Sequence, residues 1–197
     1  MEDFKGGRPM KRKKQILLYL LLMAICVGGY MKLFDYRLTP HQYFAAEEKY
    51  QHVGPSEEIL LEGEGAEGTY FILGKWGQNL NYCVMERHMG IFWGGRSGGH
   101  YVFPEDDRLR LPPLWGEYQS DMDVLYGICQ VDGVTQVQYT LSRLENNEVY
   151  YEGTLPVRED GYFYGNHILE EYQKNQYGIS SMIGTDEQGN VLAEYTW

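Results

Sequence analysis

Sixteen consecutive residues without a charge, Ile16 to Met31 (ILLYLLLMAICVGGYM), stand between Lys14 and Lys32. A run this apolar must be buried in a core or lie in lipid. Spanning a bilayer takes ~20 residues, and flanking lysines can reach from just inside the apolar layer to its surface. The run follows directly on Lys11-Arg12-Lys13-Lys14. Because Lys and Arg beside a spanning helix stay in the cytoplasm, residues 1–14 are expected to form a basic cytoplasmic tail. Residues 15–33 are then a transmembrane helix and residues 34–197 a domain outside the cell. A cleaved signal peptide shares this pattern, with Val27-Gly28-Gly29 as its cleavage site. That cleavage signal is weak, which favours the retained anchor, and both readings export the rest of the chain. Lipidation of Cys26 is disfavoured because Ile25 before it is bulky.

Charge divides along the same boundary. Residues 1–14 carry six basic side chains against two acidic ones, whereas residues 33–197 carry 10 basic against 26 acidic. An acidic domain repels phosphates, so nucleic acid is excluded as a partner. The acid excess reads first as solubility. Aromatic residues make up 15% of the chain, with 18 tyrosines, which is ample for a core. A region of this size supports one domain.

Strand signals dominate the outer region. Thr39-Pro40 opens a helix to about Gln51, with Phe44 and Tyr50 able to face a core, and Gly54-Pro55 ends it. Strands are expected at 57–64, 69–76 and 80–88, where Leu80, Tyr82 and Val84 alternate with Asn81, Cys83 and Met85. Residues 124–131 are apolar on both faces and read as a buried central strand. Asp132-Gly133 and an alternating segment 135–141 follow, which together suggest a hairpin with that strand. Strands at 148–157 and 162–164, a helix at 167–176 and a closing hairpin around Asp186–Asn190 complete the pattern. The expected fold is α+β and mainly β: an antiparallel sheet forming a sandwich or curled half-barrel, with an N-terminal helix, preceded by one transmembrane helix. Residues 91–123 break the regularity. They hold Gly94, Gly95, Gly98, Gly99, Pro104, Pro112 and Pro113, which read as a flexible, irregular stretch suited to binding.

Little chemistry is legible. The five histidines are scattered, without metal-ligand spacing, so no metal and no cofactor are expected. Ser97 lies in Gly-Gly-Arg-Ser-Gly-Gly, which is neither a nucleophile elbow nor a phosphate loop. Glu105-Asp106-Asp107 and Asp121-x-Asp123 offer oxygen ligands without calcium-loop spacing. Cys83 and Cys129 lie in strand-like segments. One disulfide between them is sterically open if those strands are neighbours, and two separately buried thiols are the other reading. Aromatic residues concentrate around the irregular stretch: Trp76, Phe92, Trp93, Tyr101, Phe103, Trp115 and Tyr118. Trp93, Arg96, His100 and Trp115 are accordingly the candidate ligand-binding residues, and core packing under a loop is the competing account of the aromatics.

The anchor, the helix from Thr39-Pro40, Ile91-Phe92-Trp93 followed by Ser97-Gly98-Gly99, Leu125-Tyr126-Gly127-Ile128 and the final turn together resemble membrane-anchored extracytoplasmic proteins of Gram-positive bacteria whose activity is uncharacterised. The resemblance implies location and architecture and carries over no catalytic residue. The reading preferred is a non-catalytic binding or interaction module at the cell envelope, with the membrane and a protein or cell-wall component as partners. The alternative is an envelope enzyme, a glycan or peptide hydrolase, using carboxylates in or near 91–123.

Overall fold

The computed structural model describes residues 12–65, 68–101, 112–120, 122–166 and 177–196, with the backbone alone at 96, 97 and 101. Helix α1 (Arg12–Leu33) and helix α2 (Pro40–Tyr50) precede the strands β1 (Glu58–Glu64), β2 (Thr69–Trp76), β3 (Asn79–His88) and β4 (Phe92–Tyr101). Then come β5 (Leu114–Gln119), β6 (Val124–Cys129), β7 (Gln136–Arg143), β8 (Val149–Pro156), β9 (Tyr162–Asn166), β10 (Tyr177–Thr185) and β11 (Val191–Thr196). The expected helix at 167–176 and the acidic run 105–107 lie outside the described residues.

The 22 residues of α1 rise about 33 Å at 1.5 Å each. None is buried, and the helix is long and apolar enough to cross a membrane. Helix α2 starts as its sequence dictates. Thr39 is extended (φ −132°, ψ 153°), its Oγ1 accepts from Gln42 N at 3.2 Å, and Pro40 occupies the first turn, where no N–H is required. Phe44 is buried as expected, but Tyr50 points into solvent.

The strands form three antiparallel sheets in the orders β1-β2-β3-β4, β5-β6-β9 and β11-β10-β7-β8. Their side chains define the stacking. Leu60, Phe71, Leu73, Leu80 and Val84 of the first sheet pack with Val124, Tyr126, Ile128 and Tyr162 of the middle sheet. Leu114, Leu125, Cys129 and Phe163 on the opposite face of the middle sheet pack with Val137, Tyr139, Leu141, Leu155, Tyr177 and Met182 of the third. The outer face of the first sheet, through Ile72, Cys83, Met85 and Trp93, is covered by Phe44 of α2. The molecule is therefore a helix laid on three stacked sheets, and β6 is buried along its whole length because it lies in the middle layer.

This stacking corrects several expectations. Strand β6 does not form a hairpin with β7. It pairs with β5 and β9, while β7 pairs with β8 and β10. Asp132-Gly133 does turn the chain, with Gly133 at φ 85°, but the turn carries it from the middle sheet to the third. Much of the stretch 91–123 is regular: it contains β4 and β5, and residues 102–111 and 121 fall outside the described residues. The glycines of β4 are not there for flexibility. A Cβ at Gly94 would stand 2.6 Å from the Tyr36 ring, and one at Gly95 would collide with the Tyr43 hydroxyl. Cys83 and Cys129 are free, and no disulfide joins them. They belong to different core clusters, one facing α2 and the other facing the third sheet.

A buried carboxylate ties α2 to the first sheet. Glu48 Oε1 accepts from Ser56 N at 2.8 Å and from Asn81 Nδ2 at 3.2 Å. Removing it strands the buried Asn81 amide and the partly buried Ser56 N–H. Glu48→Ala is expected to lower stability by about 2 kcal/mol, read as a shift in denaturant midpoint of the full chain in micelles. An unchanged midpoint would show that the tie carries no stability.

Candidate binding cleft

Three connections meet at one end of the stack: the β2–β3 turn at Gly77-Gln78, the β6–β7 link at 130–135 and the β8–β9 link at 157–161. They enclose an open, largely polar cleft of about 880 Å³. Lys75, Gln130, Asp132, Thr135, Arg158, Asp160 and Tyr162 line it. One wall depends on Gly161, which adopts φ 84° and brings its carbonyl to Cys129 N at 2.8 Å. A Cβ there would stand 2.5 Å from the Cys129 carbonyl oxygen, so both conformation and space require glycine.

Lys75, Arg158 and Asp160 of the cleft are joined in one network of ion pairs with Glu58 of β1. Lys75 Nζ donates to Asp160 Oδ2 at 2.6 Å and lies 4.8 Å over the Tyr162 ring. Arg158 reaches Asp160 through Nε at 3.2 Å and forks onto Glu58 at 2.9 and 3.2 Å. Its hydrogen bond to Glu58 raises the guanidinium pKa further, so this cation is permanent. Burial alone would raise the Asp160 carboxyl, but the hydrogen bond and charge of Lys75, with Arg158, hold it below the ordinary carboxylate range. Tyr162 is 2% exposed, and burial pushes its pKa up to about 12. Its buried hydroxyl is a neutral donor that makes no hydrogen bond among the described residues.

A carboxyl whose folded pKa lies below its unfolded value stabilises the fold above that unfolded value and loses the contribution as pH falls through the folded one. The stability difference between the wild type and Asp160→Asn is therefore expected to be full at neutral pH and to close below about pH 4. These groups are partly exposed, so the difference is on the order of 1 kcal/mol or less. Denaturant midpoints of both proteins across pH check it, and a gap that persists in acid would contradict the pairing.

Of the residues expected to bind ligand, none lines this cleft among the described side chains, and Trp93 and Trp115 stand in different sheets. Trp93 is 8% exposed and packs beneath α2, with Tyr70 edge-on at 5.7 Å. Trp115, in the middle sheet, is half-buried against the cluster around Tyr126, whose ring lies 6.4 Å away. His100 is exposed and its Nδ1 lies 2.9 Å from Gln51 Oε1. The backbone of Arg96 continues β4, and its side chain is outside the described residues. Trp93 and Trp115 thus serve packing in two different layers. The cleft residues were missed because they come from three distant connections. The only local signals were the paired charges of Arg158-Glu159-Asp160 before Gly161 and the Asp132-Gly133 turn.

Two turns that carry carboxylates use them structurally. Asp186 Oδ1 accepts from Gln188 N and Asn190 N at 2.9 and 2.8 Å, closing the β10–β11 hairpin. Asp123 accepts from the Tyr118 hydroxyl at 2.7 Å. Among the described residues no group of three or more His, Cys, Asp or Glu is placed to hold a metal ion. Fold and cleft define a mainly β protein with one helix able to span a membrane. In comparisons with protein-family models, curated proteins and solved structures, nothing matches the chain.

Proposed function

We propose that the chain is a membrane-anchored extracytoplasmic binding module that presents a polar cleft away from the bilayer. One observation carries this reading. Helix α1 joins the domain beside the β3–β4 turn, and the cleft lies at the β2–β3 turn, the other end of the same strand. Strand β3 has 10 residues, which separates the two ends by roughly 30 Å. A ligand in the cleft would meet fixed charges of both signs, a combination suited to a polar, uncharged or zwitterionic group such as a glycan or peptide segment of the cell wall.

The chemistry of the cleft favours binding over hydrolysis. A glycosidase needs one carboxyl that stays protonated and one left free as base or nucleophile. Asp160 is held ionised by two cations, and Glu58 is engaged by Arg158. In the stretch 91–123, whose carboxylates the alternative enzyme reading would use, Glu117 accepts from Gln119 and Asp123 accepts from Tyr118.

Lys11 and the first-turn residues Arg12, Lys13 and Lys14 of α1 favour a cytoplasmic N-terminus under the positive-inside rule. Protease added to intact protoplasts is expected to digest the domain and spare a tag on Met1. A protected domain would overturn the topology. For the cleft, cell-wall glycan and peptide fragments are expected to slow thiol modification of Gln78→Cys, which stands on its rim. Unchanged modification with every fragment would remove the cell wall as the ligand source.

A further inference from the structure

We propose that the β3–β4 turn, together with the aromatic residues around the end of α1, is a membrane-interface surface that seats the domain directly on the lipid headgroups. The proposal rests on the reading of α1 as a membrane anchor and adds how the domain is held there.

No flexible linker separates helix from sheet. Tyr36 N donates to Met31 O at 2.8 Å, closing the last turn of α1. The next residue, Arg37, exchanges two backbone hydrogen bonds with Trp93 on β4, at 2.9 and 2.7 Å. Rings fill the junction. Tyr30 on α1 lies 4.7 Å from Phe34 and 6.1 Å from Phe92 of β4. Tyr36 stacks on Phe92 at 6.2 Å and meets His88 at 4.6 Å. His88 and Phe92 flank the β3–β4 turn, so the residues that grip the end of α1 are the two feet of that turn.

The turn itself is apolar and uncovered. Met89 is 77% exposed and Ile91 is 59% exposed, and Leu33 and Phe34 beside them are exposed too. Solvent is a poor neighbour for a contiguous group of this kind in an otherwise acidic domain. The neighbouring medium is set by α1, whose apolar surface continues into the same patch. Tyr, Phe and aliphatic side chains at the end of a spanning helix match the composition of a bilayer interface. Of the acids at this end among the described residues, Asp35 pairs with Arg37 at 2.8 Å and Glu86 lies 3.3 Å from His88, while Glu64 stands two strands away from the turn on β1. Lys32 and Arg87 add cations suited to lipid phosphates.

The test uses the full chain with Cys26→Ala, reconstituted in phosphatidylcholine and phosphatidylglycerol nanodiscs containing nitroxide-labelled lipid. Fluorophores are placed singly at Met89→Cys, Gln78→Cys and Leu21→Cys, all at exposed positions, while Cys83 and Cys129 are buried. A shallow nitroxide is expected to quench position 89 about threefold or more above position 78. A deep nitroxide should quench position 21. Equal, weak quenching at 89 and 78 with position 21 quenched would overturn the seated domain and leave the anchor intact. Absence of quenching at 21 would overturn the anchor reading, and this inference with it.

Discussion

Trp93→Ala is expected to lower the stability of the domain by about 3–5 kcal/mol, the usual result of deleting a large aromatic from a packed site. The indole fills the space between the outer face of the first sheet and α2, against Phe44, Ile72, Cys83 and Met85. Arg87 covers it from the solvent side, with its guanidinium 5.4 Å from the ring. Alanine would leave a cavity that β4 cannot collapse into, because its backbone is held on one side by β3 and on the other by Arg37. For a domain of this size the loss corresponds to a fall in melting temperature of roughly 10 °C. Near-UV circular dichroism of the full chain in micelles would follow it. A melting temperature within a degree or two of wild type would mean that the ring is a surface anchor, and would restore the sequence-based account of Trp93 as a ligand residue.

Gly127→Val is expected to be at least as damaging, with a loss above about 3 kcal/mol or no folded protein. Overpacking a core usually costs ~1–3 kcal/mol because side chains shift to make room. Here much of the obstruction is backbone. A Cβ at Gly127 would meet the Trp115 carbonyl oxygen, the Phe163 ring and Gly116 Cα. Gly116 and Gly127 stand opposite each other on β5 and β6, and Phe163 is the partner of Gly127 on β9. Its ring also lies within 3.1 Å of where a Cβ at Gly116 would stand, so two adjacent strands are bare of side chains to admit one ring. Gly63 supplies the contrast. Nothing lies within 4 Å of its Cβ position and its φ is not left-handed. Gly63→Ala is therefore expected to leave stability unchanged or raise it by up to about 1 kcal/mol. Equal behaviour of the two variants would refute the stacked arrangement around β6.

Local pattern predicted the elements well where the signal was complete within a few residues. The uncharged run bounded by lysines predicted α1, Thr39-Pro40 predicted the start of α2, and the alternation of Leu80, Tyr82 and Val84 against Cys83 and Met85 predicted the two faces of β3. Asp186 to Asn190 predicted a hairpin because Asp186 satisfies the turn's backbone donors itself. The stretch from Ile91 misled for a physical reason. Glycine is read as flexibility when nothing nearby explains it, and the explanation for Gly94 and Gly95 lies in Tyr36 and Tyr43, more than 50 residues earlier in the chain. Trp93 and Trp115 were grouped because they are close in sequence, although they belong to different sheets.

What the sequence determined by itself was therefore whatever depends on neighbours along the chain: the apolar helix, the charge division, the caps, the turns and the period of each strand. Which strands share a plane was decided only in the tertiary structure. The run Val124–Cys129 is apolar on both faces whether it lies in a two-layer or a three-layer stack, and Asp132-Gly133 turns the chain equally well within a sheet or between sheets. Only packing against Phe71 and Leu73 on one side and Met182 and Leu141 on the other settles the choice. The cleft follows from the same cause: Lys75, Arg158 and Asp160 meet because three sheets end together, a coincidence in space that no local pattern of residues encodes.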